Sequence, residues 1–173
     1  MTVLRRKPLP TGHARGRLVV ARHVVDSTML ALHGFVGPDG RHEGVVFWLG
    51  RIVLPDTYVL SALIPECTHG PQFVSVSPAA LGTAARTARG LRLSLVCQVH
   101  SHPGADTRHS DGDDTIVPLP SEGMFSLVVG LYGEGSLSLE EGVGLHQFQD
   151  RRWVQITPGG PQPMFFVPAL LVP

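Results

Sequence analysis

The feature that most constrains this chain is an alternating segment that ends in two histidines. From Leu91 to Val99 every second residue is apolar, and the positions between are polar, continuing to His100 and His102, with Val96 as the exception. A period of two is typical of a β-strand with one buried face, because successive side chains point to opposite faces. The pattern therefore predicts a strand that ends with both imidazoles on its polar face, where a metal ion and water can reach them.

A carboxylate further along the chain completes a candidate set of metal ligands. Asp113 lies eleven residues after His102 and can return to the same point through a loop. Two imidazoles and one carboxylate, with a fourth position left to water, are typical of a catalytic zinc site, although manganese or iron would accept similar ligands. Asp111 and Asp114 are neighbouring carboxylates that spacing alone does not exclude. We interpret His109, between the ligands, as a loop residue at the rim of a cleft that contacts substrate.

The whole motif is similar to that of a known family. The spacing His-x-His-x7-Ser-x-x-Asp, filled by His100, His102, Ser110 and Asp113, resembles the JAMM motif of the MPN+ (JAB) metalloproteases, and an isolated Glu43 stands before an apolar run where that family has its catalytic glutamate. The resemblance extends over roughly residues 17 to 132 and is to the compact prokaryotic type. It implies zinc as the cofactor, His100, His102 and Asp113 as ligands, Glu43 as general base and Ser110 as the group that stabilises the oxyanion.

The residues by themselves imply less than the resemblance does. They indicate metal-assisted amide hydrolysis, and they do not separate Glu43 from Glu66 or Glu122 as the base. Ser110 is also well suited to accept hydrogen bonds at the start of a short helix near Asp113. Both roles for Ser110 stay open at the level of sequence.

The resemblance also implies a substrate and partners. It predicts a zinc-dependent isopeptidase or peptidase, deubiquitinase-like, that removes or processes a ubiquitin-like protein after its C-terminal tail. Bacterial relatives of this compact type include enzymes encoded beside conjugation enzymes in antiphage defence loci, so activating and conjugating enzymes are further expected partners. Two alternatives remain: a zinc hydrolase of small peptides or sulfur-carrier precursors, and a non-catalytic MPN scaffold, against which the complete motif argues.

Composition bounds the remaining functions. Of the 173 residues only 16% are charged and the formal net charge is zero, so no strong field draws the chain to nucleic acid or to a membrane. No run of 18 apolar residues predicts a membrane span, and the basic N-terminus lacks the apolar segment of a secretory signal. Cys67 and Cys97 lack the spacing of a metal or redox pair and suggest buried thiols, although their pairing stays open. We therefore expect a cytoplasmic protein.

Local patterns divide the chain into three parts. Residues 1–16 are predicted to be a basic flexible arm, residues 17–157 a single α/β (α+β) domain, and residues 158–173 a proline-rich apolar tail that covers a sheet edge or packs in extended form. The domain is expected to have helices flanking a curved, mainly antiparallel sheet, the architecture that the resemblance also implies. Helices are predicted at residues 23–36 and 78–90, and strands at residues 44–54, 58–64, 124–132 and 144–156. Ser77 followed by Pro78 marks the start of the second helix.

Overall fold

The computed structural model describes residues 7–157 and 161–168, which form two α-helices and thirteen β-strands. The helices are Arg22–His33 (α1) and Pro78–Gly90 (α2). The strands are Thr11–Gly12 (β1), Leu18–Ala21 (β2), Val36–Gly37 (β3), Gly40–Arg41 (β4), Val45–Val53 (β5), Asp56–Leu63 (β6), Thr68–Gly70 (β7), Phe73–Ser75 (β8), Ser94–Ser101 (β9), Phe125–Val129 (β10), Gly144–Gln149 (β11), Arg152–Ile156 (β12) and Met164–Val167 (β13). Neither of these helices is long and apolar enough to cross a membrane.

Nine strands form one curled sheet in the order β1-β12-β11-β10-β9-β5-β6-β2-β13, while β3–β4 and β7–β8 are separate hairpins. The predicted mixed α/β fold is confirmed, with sheet as the larger part. Of the eight neighbour pairings in the described part of the large sheet, four are parallel and four antiparallel. The pairings in this sheet are therefore evenly mixed, whereas the sequence predicts a mainly antiparallel sheet.

One of the parallel pairs positions the candidate ligands. Strands β9 and β10 are parallel neighbours, with Val99 opposite Leu127. Parallel strands cannot be joined by a tight turn, so the chain between them must cross back over a face of the sheet. That crossover is the segment that carries Ser110 and Asp113. The sheet topology thus returns these residues toward the strand that bears the histidines.

Strand β9 alternates as predicted only in its second half. Cys97 and Val99 pack in the core on the α1 side of the sheet. Leu95 instead packs in the core on the α2 side, because the pairing with β5 shifts register between Trp48 and Leu49 and reverses the phase of the strand. Residues 91–93 precede the strand, so the predicted alternation was wrong there.

Each helix covers one face of the sheet. Helix α1 buries Val24, Val25 and Leu32 in the first core, and α2 buries Ala80 and Ala84 in the second. Helix α2 begins as the sequence predicts, since the Ser77 side chain accepts a hydrogen bond from the backbone N–H of Ala80. Gly90 is its last residue.

Both outermost strands come from segments outside the predicted domain. Strand β1 pairs in parallel with β12, and β13 pairs in parallel with β2. The predicted boundaries after residues 16 and 157 therefore cut through the sheet, because the backbone of each segment satisfies an edge that would otherwise be open. The rest of the predicted arm, residues 1–6, and residues 158–160 and 169–173 of the predicted tail lie outside the described residues. Cys67 and Cys97 are both free thiols.

Candidate metal centre

The three predicted ligands meet at the end of β9. His100 is the penultimate residue of that strand, His102 follows it, and Asp113 opens a short 3-10 helix, Asp113–Thr115, in the crossover. Their ligand atoms all lie within 4.8 Å of one another. Oδ2 of Asp113 is 3.2 Å from Nε2 of His100 and 3.3 Å from Nε2 of His102. All three side chains are buried, and this group could hold a metal ion.

The hydrogen bonds around the two imidazoles fit a metal site. The Nδ1–H of His102 donates to the backbone oxygen of Asp106 over 2.8 Å, which leaves the Nε2 lone pair on the side of Asp113. A second partner of this kind is typical of metal-binding histidines. His100 is fully buried, and neither of its ring nitrogens makes a well-aligned hydrogen bond among the described residues, although Nε2 lies 3.2 Å from Oδ2 of Asp113. Because buried polar atoms rarely stay unpaired, a cation between His100 Nε2 and Asp113 would satisfy this nitrogen.

The charges of the group favour a cation. Burial alone would raise the pKa of Asp113, but His100 and His102 outweigh it and hold that pKa well below its usual range. Burial lowers the pKa of His100. For His102 burial acts in the same direction, yet Asp113 outweighs it and raises the pKa. The metal-free group therefore holds an ionised carboxylate between two imidazoles, and any proton bound by His102 must be released before that ring can bind a metal ion.

Ser110 and Asp113 are bonded to each other in both directions. The backbone N–H of Ser110 donates to Oδ2 of Asp113 over 2.5 Å, and the backbone N–H of Asp113 donates to Oγ of Ser110 over 3.2 Å. The hydroxyl therefore does accept an N–H at the start of the 3-10 helix, although Gly112 holds the N-cap position itself. The reciprocal pair fixes the orientation of the Asp113 carboxylate.

Glu43 reaches the same cleft through strand pairing. Val45 lies opposite His100, and the backbone N–H of Ser101 donates to the oxygen of Gly44, so the antiparallel register brings Glu43 beside His102. Glu43 is only 5% exposed. Burial raises its pKa to about 7; His102 opposes that shift and Asp113 adds to it.

The structure separates Glu43 from the other carboxylates that the sequence left open. Glu66 and Glu122 are exposed, and Glu122 pairs with Arg15 on the surface. Asp111 is also exposed, and Asp114 faces the ring of His109. None of these four lines the cleft that Glu43, His102 and Asp113 line.

His109 does not lie at the rim of a cleft, so that prediction was wrong. Its side chain is 2% exposed, and its ring centroid is 5.0 Å from each of those of His146 and Trp153. Nδ1 lies 3.2 Å from Oδ1 of Asp114. The ring turns inward because β11 and β12 offer it an aromatic pocket, which spacing within the motif cannot reveal.

The cleft beside the ligands has a volume of about 250 Å³. The β7–β8 hairpin forms one wall with Phe73–Ser75, and Ser110 and Asp113 contribute the other; Glu43 and His102 also line it. The phenol of Tyr132 donates to the backbone oxygen of Pro71, which anchors the tip of the hairpin.

A row of polar residues behind the ligands was not predicted from the sequence. Gln98, Ser126 and His146 lie side by side on β9, β10 and β11 and are fully buried. The one available signal was that Gln98 shares the period of two with His100 and His102. Nothing in the sequence connects it to the other strands.

Comparison with known proteins identifies no family. No family model matches the chain, and no curated protein does. Among solved structures, the chain is similar to protein DSY2949 from Desulfitobacterium hafniense, with a TM-score of 0.63 and 14% sequence identity over 88% of this chain and 94% of that one. At this identity the likeness shows a shared fold alone.

Proposed function

We propose that this protein is a zinc-dependent isopeptidase or peptidase that cleaves after the C-terminal tail of a ubiquitin-like protein. The observation that carries the proposal is the convergence of His100, His102 and Asp113 with the buried carboxyl of Glu43 beside one open cleft. Two imidazoles and one carboxylate are one of the donor sets of catalytic zinc sites, which keep a position for water or substrate. The resemblance of the motif to JAMM metalloproteases supports the reaction class.

The mechanism assigns a distinct task to each side chain. His100, His102 and Asp113 would hold the zinc ion, which would supply Lewis acidity to the scissile carbonyl and to the attacking water. Glu43, as a carboxylate, accepts a proton from the attacking water and donates it to the nitrogen of the leaving amine. The hydroxyl of Ser110 donates a hydrogen bond to the oxyanion that develops on the scissile carbonyl.

The shape of the cleft supports an extended substrate. Strand β8 pairs only with β7 among the described residues, so its other edge offers backbone groups along the cleft. An extended tail can add to such an edge through main-chain hydrogen bonds. Because the ligands are buried, the substrate backbone must approach them closely, which favours small residues such as glycine at the cleavage point. The tail of a ubiquitin-like protein meets these requirements.

The test is cleavage of a ubiquitin-like protein fused through its C-terminal glycine to a reporter. We expect the purified full chain loaded with zinc to release the reporter, and a chelator to stop the reaction until zinc is restored. Glu43→Gln keeps the side-chain volume but cannot accept the proton, so the rate should fall by roughly two to four orders of magnitude. Asp113→Ala should lose zinc and activity together.

Two results would contradict the proposal. Equal cleavage of unrelated peptides would favour the alternative of a general zinc peptidase. Full activity in chelator, or near-normal activity of Glu43→Gln, would exclude the mechanism itself. An exposed carboxylate gives the matched control, since Glu122→Gln should leave the rate unchanged.

A further inference from the structure

Gln98 makes contacts that connect the histidine strand to the third ligand. It lies on β9 two residues before His100, and it is fully buried. Its amide nitrogen is 3.2 Å from the backbone oxygen of Asp113, 3.1 Å from Oγ of Ser126 and 3.3 Å from Nε2 of His109. A primary amide has two hydrogens, so these acceptors share them. The amide thus joins β9, β10 and the crossover at one point.

The contact with Asp113 is the one that bears on the metal centre. His100 lies on β9 and His102 is the first residue after it, so the chain itself keeps them together, whereas Asp113 belongs to a different segment and must be held in place separately. The bonds between Ser110 and Asp113 orient the carboxylate within the crossover. The bond from Gln98 to the Asp113 carbonyl fixes that part of the crossover to the strand.

His109 reinforces the same connection. When Gln98 donates to Nε2 of His109, the ring proton lies on Nδ1 and can be donated to Asp114, the residue after the third ligand. The ring is held between His146 and Trp153. Gln98 and His109 therefore contact the crossover at Asp113 and at Asp114.

We infer that Gln98, supported by His109, is a positioning residue that holds Asp113 in place to complete the metal site. The inference rests on the proposed zinc site and adds residues that bind neither metal nor substrate. Outer partners of metal ligands typically change metal affinity by about 10- to 100-fold when they are removed. The alternative is that the Gln98 amide contributes only to the stability of the fold, as any buried hydrogen-bonded group does.

The experiment compares two buried glutamines of the same sheet. Gln98→Met keeps a similar volume and removes the amide. Gln147→Met removes an equally buried amide on β11, whose nitrogen donates to the backbone oxygens of Arg15 and Gly123. Zinc affinity is measured for the full-length protein by competition with a chromophoric chelator. The visible absorption of the Co²⁺-loaded protein reports the ligand geometry, and urea unfolding of the metal-free protein reports stability.

We expect Gln98→Met to bind zinc about 10- to 100-fold more weakly and to change the Co²⁺ spectrum. Gln147→Met should lose stability but keep the zinc affinity and the spectrum of the parent. Ser126→Ala removes one acceptor while the bond to Asp113 remains, so it should fold and stay within a few-fold of the parent affinity. If Gln98→Met is too unstable to bind zinc, the bond from Gln98 to Asp113 is tested with Gln98→Asn. Its shorter side chain cannot reach the Asp113 carbonyl equally well, so it should also bind zinc more weakly than the parent.

Two outcomes would overturn the inference. One is an unchanged zinc affinity and Co²⁺ spectrum in the Gln98 variants; the other is an equal loss of affinity in Gln147→Met. A parent protein that binds no zinc would overturn the metal site and this inference together. Since the comparison is made on metal binding, absence of cleavage would contradict the proposed activity alone.

Discussion

At the scale of single residues, Glu43 is a carboxyl group that the fold buries next to the predicted metal ligands. It is buried beside His102 and Asp113, and burial is the largest cause that raises its pKa, from 4.5 to about 7. A raised carboxyl pKa means that the folded metal-free protein binds this proton more tightly than the unfolded chain. The tighter proton binding at Glu43 therefore stabilises the folded state fully below pH 4.5, and this contribution is lost as the pH rises through about 7.

We predict that Glu43→Gln removes this pH dependence from the metal-free protein. At pH 8 the variant should exceed the parent in free energy of unfolding by up to roughly 3 kcal/mol, and near pH 4.5 the two should be similar. Urea unfolding of chelator-treated protein across this range measures the difference. Glu140→Gln removes an exposed carboxylate and serves as the control. The same slope in Glu43→Gln and in the parent would show that another group titrates.

The site residues that could be predicted from sequence are those related by the period of a strand or by a short loop. His100 and His102 share a strand face because of the period of two, and Asp113 can return because it lies a short loop away. Gln98 was visible in the same period, but its role depends on the crossover folding over it. His109 was misplaced because Trp153, more than forty residues away in the sequence, decides which way its ring turns. Contacts between distant segments are what a local pattern cannot supply.

At the scale of elements, the crossover from β9 to β10 depends on a close approach to β11. Gly144 lies opposite Val128 at the start of β11, and a Cβ at this position would stand 1.8 Å from the backbone oxygen of Thr107. Thr107 belongs to the crossover, and its hydroxyl donates to the backbone oxygen of Gly142. The missing side chain of Gly144 therefore lets the ligand-bearing segment lie directly on the sheet.

Gly144→Ala should push the crossover away from β11. We predict a loss of about 1–3 kcal/mol in stability, the usual effect of overpacking, together with weaker zinc binding, because Asp113 moves with its segment. Chemical unfolding and chelator competition measure the two effects. Gly82→Ala is the matched control: it lies within α2, its Cβ would meet Arg86 at an ordinary 3.5 Å, and it should add about 0.5–1 kcal/mol with zinc affinity unchanged. Normal zinc binding by Gly144→Ala would show that the crossover does not depend on this approach.

Helices and strands were predicted well where the pattern lies within one segment, and less well where the outcome depends on which strands pair. The start of α2 followed from Ser77 and Pro78, and the β5–β6 pair from two apolar runs around a proline turn. The even mixture of parallel and antiparallel pairs was not predicted, since it depends on which distant segment fills each edge. Strand β13 illustrates this, because the sequence predicts only an extended segment or a covered sheet edge there, whereas the structure shows that the strand it pairs with is β2.

At the scale of the whole molecule, the candidate metal site joins segments that are far apart in the chain. The ligands come from the end of β9 and from the crossover, and Glu43 comes from the segment before β5. The unfolded chain does not hold these groups together, so an ion bound here binds the folded state. Its binding energy therefore adds to the stability of the fold.

We accordingly predict that zinc raises the unfolding temperature of the metal-free protein. At a free zinc concentration about 1,000 times the Kd, the stabilisation is about 4 kcal/mol, which corresponds to a shift of roughly 10 °C for a chain of this size. Differential scanning calorimetry with and without zinc measures it. His100→Ala should abolish the shift, because a ligand is lost, whereas Glu43→Gln should retain it, because the base is not a ligand. A shift that survives in His100→Ala would show that zinc stabilises the protein from another position, and loss of the shift in Glu43→Gln would make Glu43 a ligand and no longer the base.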